Sequence, residues 1–170
     1  MDKSLTRSDR GRIAIFIDAS SLFYAAQQLG ITIDYSKLLA SMCQNDRLLR
    51  CFFYTGIDPT STRQQGFLLW MQRHGFRVVS KPLTQLPDKS KESNVNVEIA
   101  VDMLSLAPYY NTAVLVSGNG ALAYAMNALS YRGNRIELVS LRSMTSEALL
   151  HLSDQFIDLA LIKEKIQKSF

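Results

Sequence analysis

The sequence predicts an α/β domain: a mostly parallel central sheet of about five or six strands between two helical layers. Three observations carry that prediction. Short β-branched or aromatic runs alternate with amphipathic helical patterns along the whole chain. The connections are short, so each right-handed crossover deposits its helix on a sheet face. The first run, Arg12 to Ile17 (RIAIFI), is almost unbroken apolar sequence, as expected of a strand buried on both faces.

From that strand the chain continues as a helix over Ser21 to Leu29, ended by Gly30. Asp34 is placed to cap a second helix through Met42, with Tyr35, Leu38, Leu39 and Met42 at helical spacing. Leu48 to Tyr54 (LLRCFFY) reads as the second strand, and Gly56-Ile57-Asp58-Pro59 breaks it. Ser61-x-x-Gln64 is a capping box for a helix through His74, with Gly75 as its stop. Phe76 to Lys81 is the third strand, followed by a polar loop from Pro82 to Ser93. Asn94 caps a helix to about Leu106, and Thr112 to Ser117 is the fourth strand. A helix over Ala121 to Tyr131, ended by Gly133, leads to the fifth strand, Arg135 to Leu141. Thr145 or Ser146 caps a short helix to about His151. Phe156-Ile157 adds a short sixth strand before a C-terminal helix, Leu159 to Lys168.

A length of 170 residues at 47% hydrophobic suits one domain over residues 11–170, preceded by a flexible polar tail, residues 1–10. No apolar stretch resembles a signal peptide or approaches a membrane span, so a cytoplasmic protein without membrane contact is expected. Cys43 and Cys51 lack metal-ligand spacing and read as buried thiols. The net charge of +4 gathers around Lys3, Arg7, Arg10 and Arg12, and again mid-chain from Arg63 to Lys91. That balance is compatible with nucleic acid without demonstrating it.

In parallel sheets, ligands bind beyond the carboxyl ends of the strands, where strand order reverses. Asp18 and Ser117-Gly118-Asn119 each end a predicted strand and are expected to meet there. Asp18 either caps the following helix or points into the crevice, since Ser20 or Ser21 can cap equally well. The glycines of Ser117-Gly118-Asn119-Gly120 permit close approach of a ligand or a positive φ. Ser117, Gly118 and Gly120 are therefore candidates for phosphate, near the N-terminus of the next helix. Lys89, Lys91 and Arg142, with Lys81, could line a groove for a nucleic-acid backbone or an acidic protein.

Asn96 falls in the first turn of its helix, and Asp102 lies about 120° around that helix and about 9 Å further along it. The two cannot easily share one metal, and Asp102 is expected in a structural hydrogen bond, an ion pair or an interface. Glu98 reads as solvated. His74 complements the end of its helix, and His151 shows no partner. Tyr109 and Tyr110 either dock a partner or sit under the sheet edge. No Ser/His/Asp or Cys/His arrangement is recognisable.

Longer stretches carry a specific resemblance: FIDASSLFYAA at Phe16, FFYTG at Phe52, QQGFLLWMQRHGFRV at Gln64, VEIAVDMLSL at Val97, LVSGNGALAYAMNALSYRGNRIELVSLRSMTS at Leu115 and DQFIDL at Asp154. Over roughly residues 11–168 the chain resembles the LabA-like NYN domains of the PIN-like nuclease superfamily, closest to the cyanobacterial LabA group. The resemblance implies a PIN-like three-layer fold and, in active members, an acidic magnesium- or manganese-dependent RNA-cleaving pocket.

The family's Asp-Gly-Ser-Asn matches Asp18, Ala19, Ser20 and Ser21. Its Asp-Val matches Asn96-Val97, and its Ser-Gly-Asp-Gly-Asp matches Ser117 through Ala121. Asp18 and Asp102 are retained, while Ser21, Asn96, Asn119 and Ala121 are neutral replacements. One carboxylate cannot assemble a two-metal clamp. The expectation is a catalytically degenerate regulatory or scaffolding binder, in the circadian or transcriptional setting that the LabA group implies. Two alternatives stay open: a residual ribonuclease using Asp18, with Asp102 the weaker candidate ligand, and a non-cleaving RNA-binding module. No cofactor is expected, magnesium or manganese entering only with residual cleavage. A regulatory protein is the expected partner, with RNA and homo-oligomerisation as further options.

Overall fold

Strand β1 (Ile13–Asp18) is buried along its entire length, and the remaining architecture is arranged around it. A computed structural model describes residues 10–85, 87–88, 91–92 and 94–169. Helices α1 (Ala19–Leu29) and α2 (Tyr35–Cys43) lead to β2 (Leu48–Ile57), and α3 (Thr62–Arg73) leads to β3 (Phe76–Pro82). A small antiparallel hairpin, β4 (Thr84–Gln85) with β5 (Lys91–Glu92), precedes α4 (Asn96–Ser105). The chain then runs through β6 (Thr112–Val116), α5 (Ala123–Tyr131), β7 (Arg135–Ser140), α6 (Glu147–Leu152), β8 (Gln155–Asp158) and α7 (Lys163–Ile166).

The main sheet has six strands in the order β3-β2-β1-β6-β7-β8. Every pairing in it is parallel. The result is the three-layer α/β fold expected, with the sheet wholly parallel. Alternation along β1 divides the core. Ile13, Ile15 and Ile17 pack with Leu22, Leu38, Met71 and Ile166 on one face. Ala14 and Phe16 pack with Ile99, Met103, Met126 and Leu149 on the other. Strand order reverses between β1 and β6, which opens a crevice at their carboxyl ends.

Local chemistry explains most boundaries. Gly30, at φ 68°, closes α1 in the left-handed region that costs glycine least. Asp34 caps α2 by accepting from the Lys37 N–H at 3.0 Å. Ser61 caps α3, accepting from the Gln64 N–H. The Gln64 amide does not complete the capping box. It turns back to the strand, accepting from the Asp58 N–H and donating to the Gly56 carbonyl. Those bonds hold the end of β2, which runs on through Gly56 and Ile57 where the sequence suggested a break.

Three further expectations need correction. The polar stretch from Pro82 to Ser93 contains the last residue of β3 and a hairpin, because antiparallel pairing satisfies backbone groups that a loop would leave to water. The predicted C-terminal helix is a 3-10 turn, Leu159–Leu161, and then the four-residue α7. It stops because Gln167 pairs with Ile33 and the Lys168 N–H donates to the Thr32 carbonyl. Tertiary pairing there overrides helical propensity. Ala121 lies in a second 3-10 turn, Gly120–Leu122, and α5 begins only at Ala123.

Residues 1–9 lie outside the described residues. Arg10, grouped with the tail from sequence, is buried at 6% exposure. Its guanidinium bridges Glu137 at 3.1 Å and Asp46 at 2.7 Å and donates to the Met42 carbonyl. Arg135 meets Glu137 from the other side at 3.2 Å. Cys51 is buried and Cys43 half-buried. Burial pushes both thiols above their ordinary pKa, which suits inert packing. Among the described residues no helix is long and apolar enough to cross a membrane.

Replacing Arg10 with Ala removes one buried and one part-buried ion-pair contact while Arg135 stays with Glu137. Urea unfolding should show a loss of roughly 3 kcal/mol, the low end for breaking a buried pair. A loss below about 0.5 kcal/mol, the range of ordinary surface substitutions, would show that the network contributes nothing to stability.

Candidate functional site

β1 delivers Asp18 to the crevice, on the sheet face covered by α4, α5 and α6. Asp18 occupies the N-cap position of α1, yet its side chain makes no capping bond. The carboxylate is instead 5% exposed and faces the reversal point. Its Oδ2 accepts from Ser21 Oγ at 3.1 Å and from Ser117 Oγ at 3.2 Å. The two hydroxyls stand 3.3 Å from each other, closing a triangle across β1 and β6. Ser117 Oγ also accepts from the Asn119 N–H at 3.2 Å. One serine from the first turn of α1 and one just past β6 thus hold the same carboxylate oxygen.

The other positions are held by their own backbone. Asn119 Oδ1 accepts from the Ala121 N–H at 3.0 Å, which directs its oxygen into the turn that it caps. Ala121 is exposed and offers only a methyl group. Asn96 opens α4, its N–H donating to Asn94 Oδ1 at 3.0 Å. Val95, not Asn94, occupies the N-cap position of α4, so Asn94 meets the first turn from one residue further out than expected. α4 packs against the Gly120–Leu122 turn, which brings its first residues to the same end of the sheet.

Both glycines of the turn answer to internal packing, and neither has a positive φ. A Cβ on Gly118 would overlap the Met144 carbonyl oxygen, and one on Gly120 would stand 2.8 Å from Ser146 Oγ. The Ser146 N–H donates to the Gly118 carbonyl at 3.1 Å. The segment after β7 therefore lies directly against the turn, in the space the sequence reading reserved for a ligand.

Asp102 accepts from the Tyr54 hydroxyl at 2.9 Å, the structural hydrogen bond expected of it. Tyr54 pairs with Asp18 in the β1–β2 register and points to the same face. Burial first, then the Asp102 charge, drives the Tyr54 phenol far above its ordinary pKa. The sequence reading passed over Tyr54. Its signal was available: it shares the parity of Phe52 at the end of an apolar run.

Two of the four candidate cations, Lys81 and Arg142, are paired with acids. Lys81 pairs with Glu98 at 3.0 Å, so Glu98 is not simply solvated. Arg142, in the turn after β7, pairs with Glu147 at 2.8 Å, both exposed. Lys89 lies outside the described residues, and Lys91 belongs to β5. His74 Nδ1 lies 2.6 Å from the Trp70 carbonyl, and the imidazole stacks on the Trp70 ring. Tyr109 is exposed, whereas Tyr110 is buried and donates to the Met103 carbonyl.

Magnesium or manganese needs several anionic oxygens converging on one point. Among the described residues no group of three or more His, Cys, Asp or Glu side chains is placed to hold a metal ion. Asp18 brings one carboxylate already engaged by two hydroxyls, and the Asp102 oxygen is turned to Tyr54. The donor set does not fit a two-metal phosphodiesterase centre.

Comparisons with known proteins agree with this fold. The sequence profile of the NYN domain family matches residues 12–161. The low amplitude and bright protein LabA of Synechococcus elongatus is 32% identical over 167 residues, covering 93% of this chain and 89% of that protein. The crystal structure of a protein of unknown function from Vibrio parahaemolyticus superposes with a TM-score of 0.78 at 23% identity. It covers 89% of this chain and 94% of the other, and at that identity the likeness concerns the fold.

Gly118→Ala should destabilise the domain by about 2 kcal/mol through overpacking against Met144, measured by urea unfolding. An unchanged midpoint would mean that the turn has room for a side chain. The pH dependence follows from three phenols and two thiols, all raised by burial. Tyr35 is lifted to about 12, and Tyr54 and Tyr110 further. A raised folded pKa means that stability is fully present below the ordinary values, about 9 for a thiol and about 10 for a phenol, and is lost as pH climbs through the folded values. Unfolding free energy should therefore fall from about pH 9 upward, less steeply above about pH 10 in Tyr54→Phe. Parallel profiles for the two proteins would remove Tyr54 from that linkage.

Proposed function

This chain belongs to the NYN domain family, and from that premise we propose that it is a non-cleaving member acting as a regulatory or scaffolding binder. The observation that carries the proposal is the Asp18 carboxylate held by Ser21 and Ser117. Where the family resemblance implies clustered acids, Asn96, Asn119 and Ala121 put two amides and a methyl group. Clustered carboxylates repel one another until a cation joins them, so neutral replacements relieve that repulsion and leave a more stable metal-free domain. The crevice keeps its shape through hydrogen bonds and needs no ion to order it.

Binding then replaces turnover as the role of the domain. The LabA relative supports a regulatory setting, circadian output or related transcriptional control, as the context in which a partner is engaged. The compensated state of Lys81 and Arg142 gives RNA less support as that partner, because cations already paired release fewer counterions from a phosphate backbone.

Incubation of the purified chain with single-stranded RNA and manganese should give no cleavage above a buffer control. Cleavage that disappears in Asp18→Ala would overturn the proposal. The combined Asn96→Asp, Asn119→Asp and Ala121→Asp protein should be less stable than the parent without metal and should regain stability when manganese is added. Equal stability of the two proteins without metal would contradict the repulsion argument.

A further inference from the structure

On the sheet face opposite Asp18, the described residues enclose an open groove of about 900 Å³ between α1, the segment leading into α2, and α3. Phe23, Tyr35, Phe67 and Trp70 form its apolar wall, with Arg63 and Lys168 at its edges. A smaller hollow of about 270 Å³ shares Phe23, Tyr35, Gln64 and Phe67 with it. That hollow reaches Ala19 and Ser20, the residues directly after Asp18. Phe23 is 58% exposed and Trp70 38%, an unusual outlay of large apolar surface on a water-facing wall.

Charge decides what could fill the groove. Among the described residues, neither Arg63 nor Lys168 makes a side-chain ion pair, and the one acid in the lining, Asp34, already caps α2. Arg63 and Lys168 against Asp34 leave the lining with a net positive charge above an apolar floor. A second copy of a chain with net charge +4 is poorly matched to it. The rings argue against nucleic acid. Tyr35 is met edge-on by Phe53 at 5.7 Å and Phe76 at 6.2 Å and packs tilted against Phe67 at 5.3 Å. One face of Trp70 is covered by His74 at 4.0 Å. Bases need free ring faces and a track of cations, and two cations do not follow a phosphate chain. Aliphatic or aromatic anchors from a peptide need only an apolar trough.

We infer that this groove docks an acidic amphipathic segment of a partner protein, its apolar residues seated against Phe23, Phe67 and Trp70 and its carboxylates facing Arg63 and Lys168. Helix-in-groove recognition, with anchors one turn apart, suits an elongated trough of this kind. The inference gives the proposed binding role a partner class and rests on that reading.

Trp70 is the only tryptophan, so its emission reports occupancy directly. A display library of 16-residue peptides, selected on the full chain, supplies the probes; synthetic copies and a 12-nucleotide oligo(U) are then titrated. Selected peptides should be net acidic, carry two or three apolar anchors at helical spacing and change Trp70 emission. Affinity should fall at least tenfold in the Arg63→Glu, Lys168→Glu double variant and in Phe23→Ser. Tyr131→Ser, at an exposed position at the end of α5, should leave it unchanged. Circular dichroism checks that each variant stays folded. Peptides that are not acidic, or that bind Phe23→Ser normally, would overturn the inference. So would oligo(U) changing Trp70 emission where peptides do not, or self-association that Phe23→Ser abolishes. None of these readouts involves RNA cleavage, so the groove assignment and the non-cleaving reading can fail separately.

Discussion

The Asp18 carboxylate and the two serine hydroxyls that satisfy it are the interaction on which the rest of the site depends. Asp18 stands at the one point in the sheet where strand order reverses, at 5% exposure. A buried carboxylate without partners costs several kcal/mol or takes up a proton. Ser21, one turn into α1, and Ser117, just past β6, remove that cost with hydrogen bonds of 3.1 and 3.2 Å. A family member with acids around this position faces a different problem, which a cation solves. Here the problem is solved within the chain.

The surroundings are consistent with that solution. The segment after β7 is drawn so closely against this turn that a side chain is excluded at Gly118 and crowded by Ser146 at Gly120. Asn119 is turned to its own backbone and Asp102 to Tyr54. Asp18 Oδ2, Asn119 Oδ1 and Asp102 Oδ2 are each committed to a neighbour. The same strand organises the opposite face: its odd-numbered isoleucines anchor α1 and α2, which with α3 form the aromatic groove. One buried strand thus separates a closed polar crevice from an open apolar trough.

Much of this was legible in the sequence, for identifiable reasons. The apolar run ending at Asp18 fixed a buried strand, and caps at Asp34, Ser61 and Ser146 fixed helix starts through local hydrogen bonds. Helical geometry set Asp102 apart from Asn96 and left a structural hydrogen bond, an ion pair or an interface open, among which the Tyr54 bond decides. What escaped were long-range choices. The pairing of Ile33 with Gln167 ended the C-terminal helix, and Gln64 reached the strand rather than its own cap. Arg10 looked like a tail residue because its partners Asp46 and Glu137 lie far away in sequence. The groove was hidden in α3, where Phe67, Leu68, Leu69, Trp70 and Met71 are consecutive. Only Leu68 and Met71 are buried, and a run apolar all round a surface helix signals a second contact face.

Manganese binding measured by calorimetry on the parent chain, beside Asp18→Asn, tests the central claim most directly. With one carboxylate already satisfied by two serines, the account predicts no site tighter than about millimolar, equivalent to roughly 4 kcal/mol, and no difference between the proteins. A micromolar site in the parent that Asp18→Asn abolishes would contradict it.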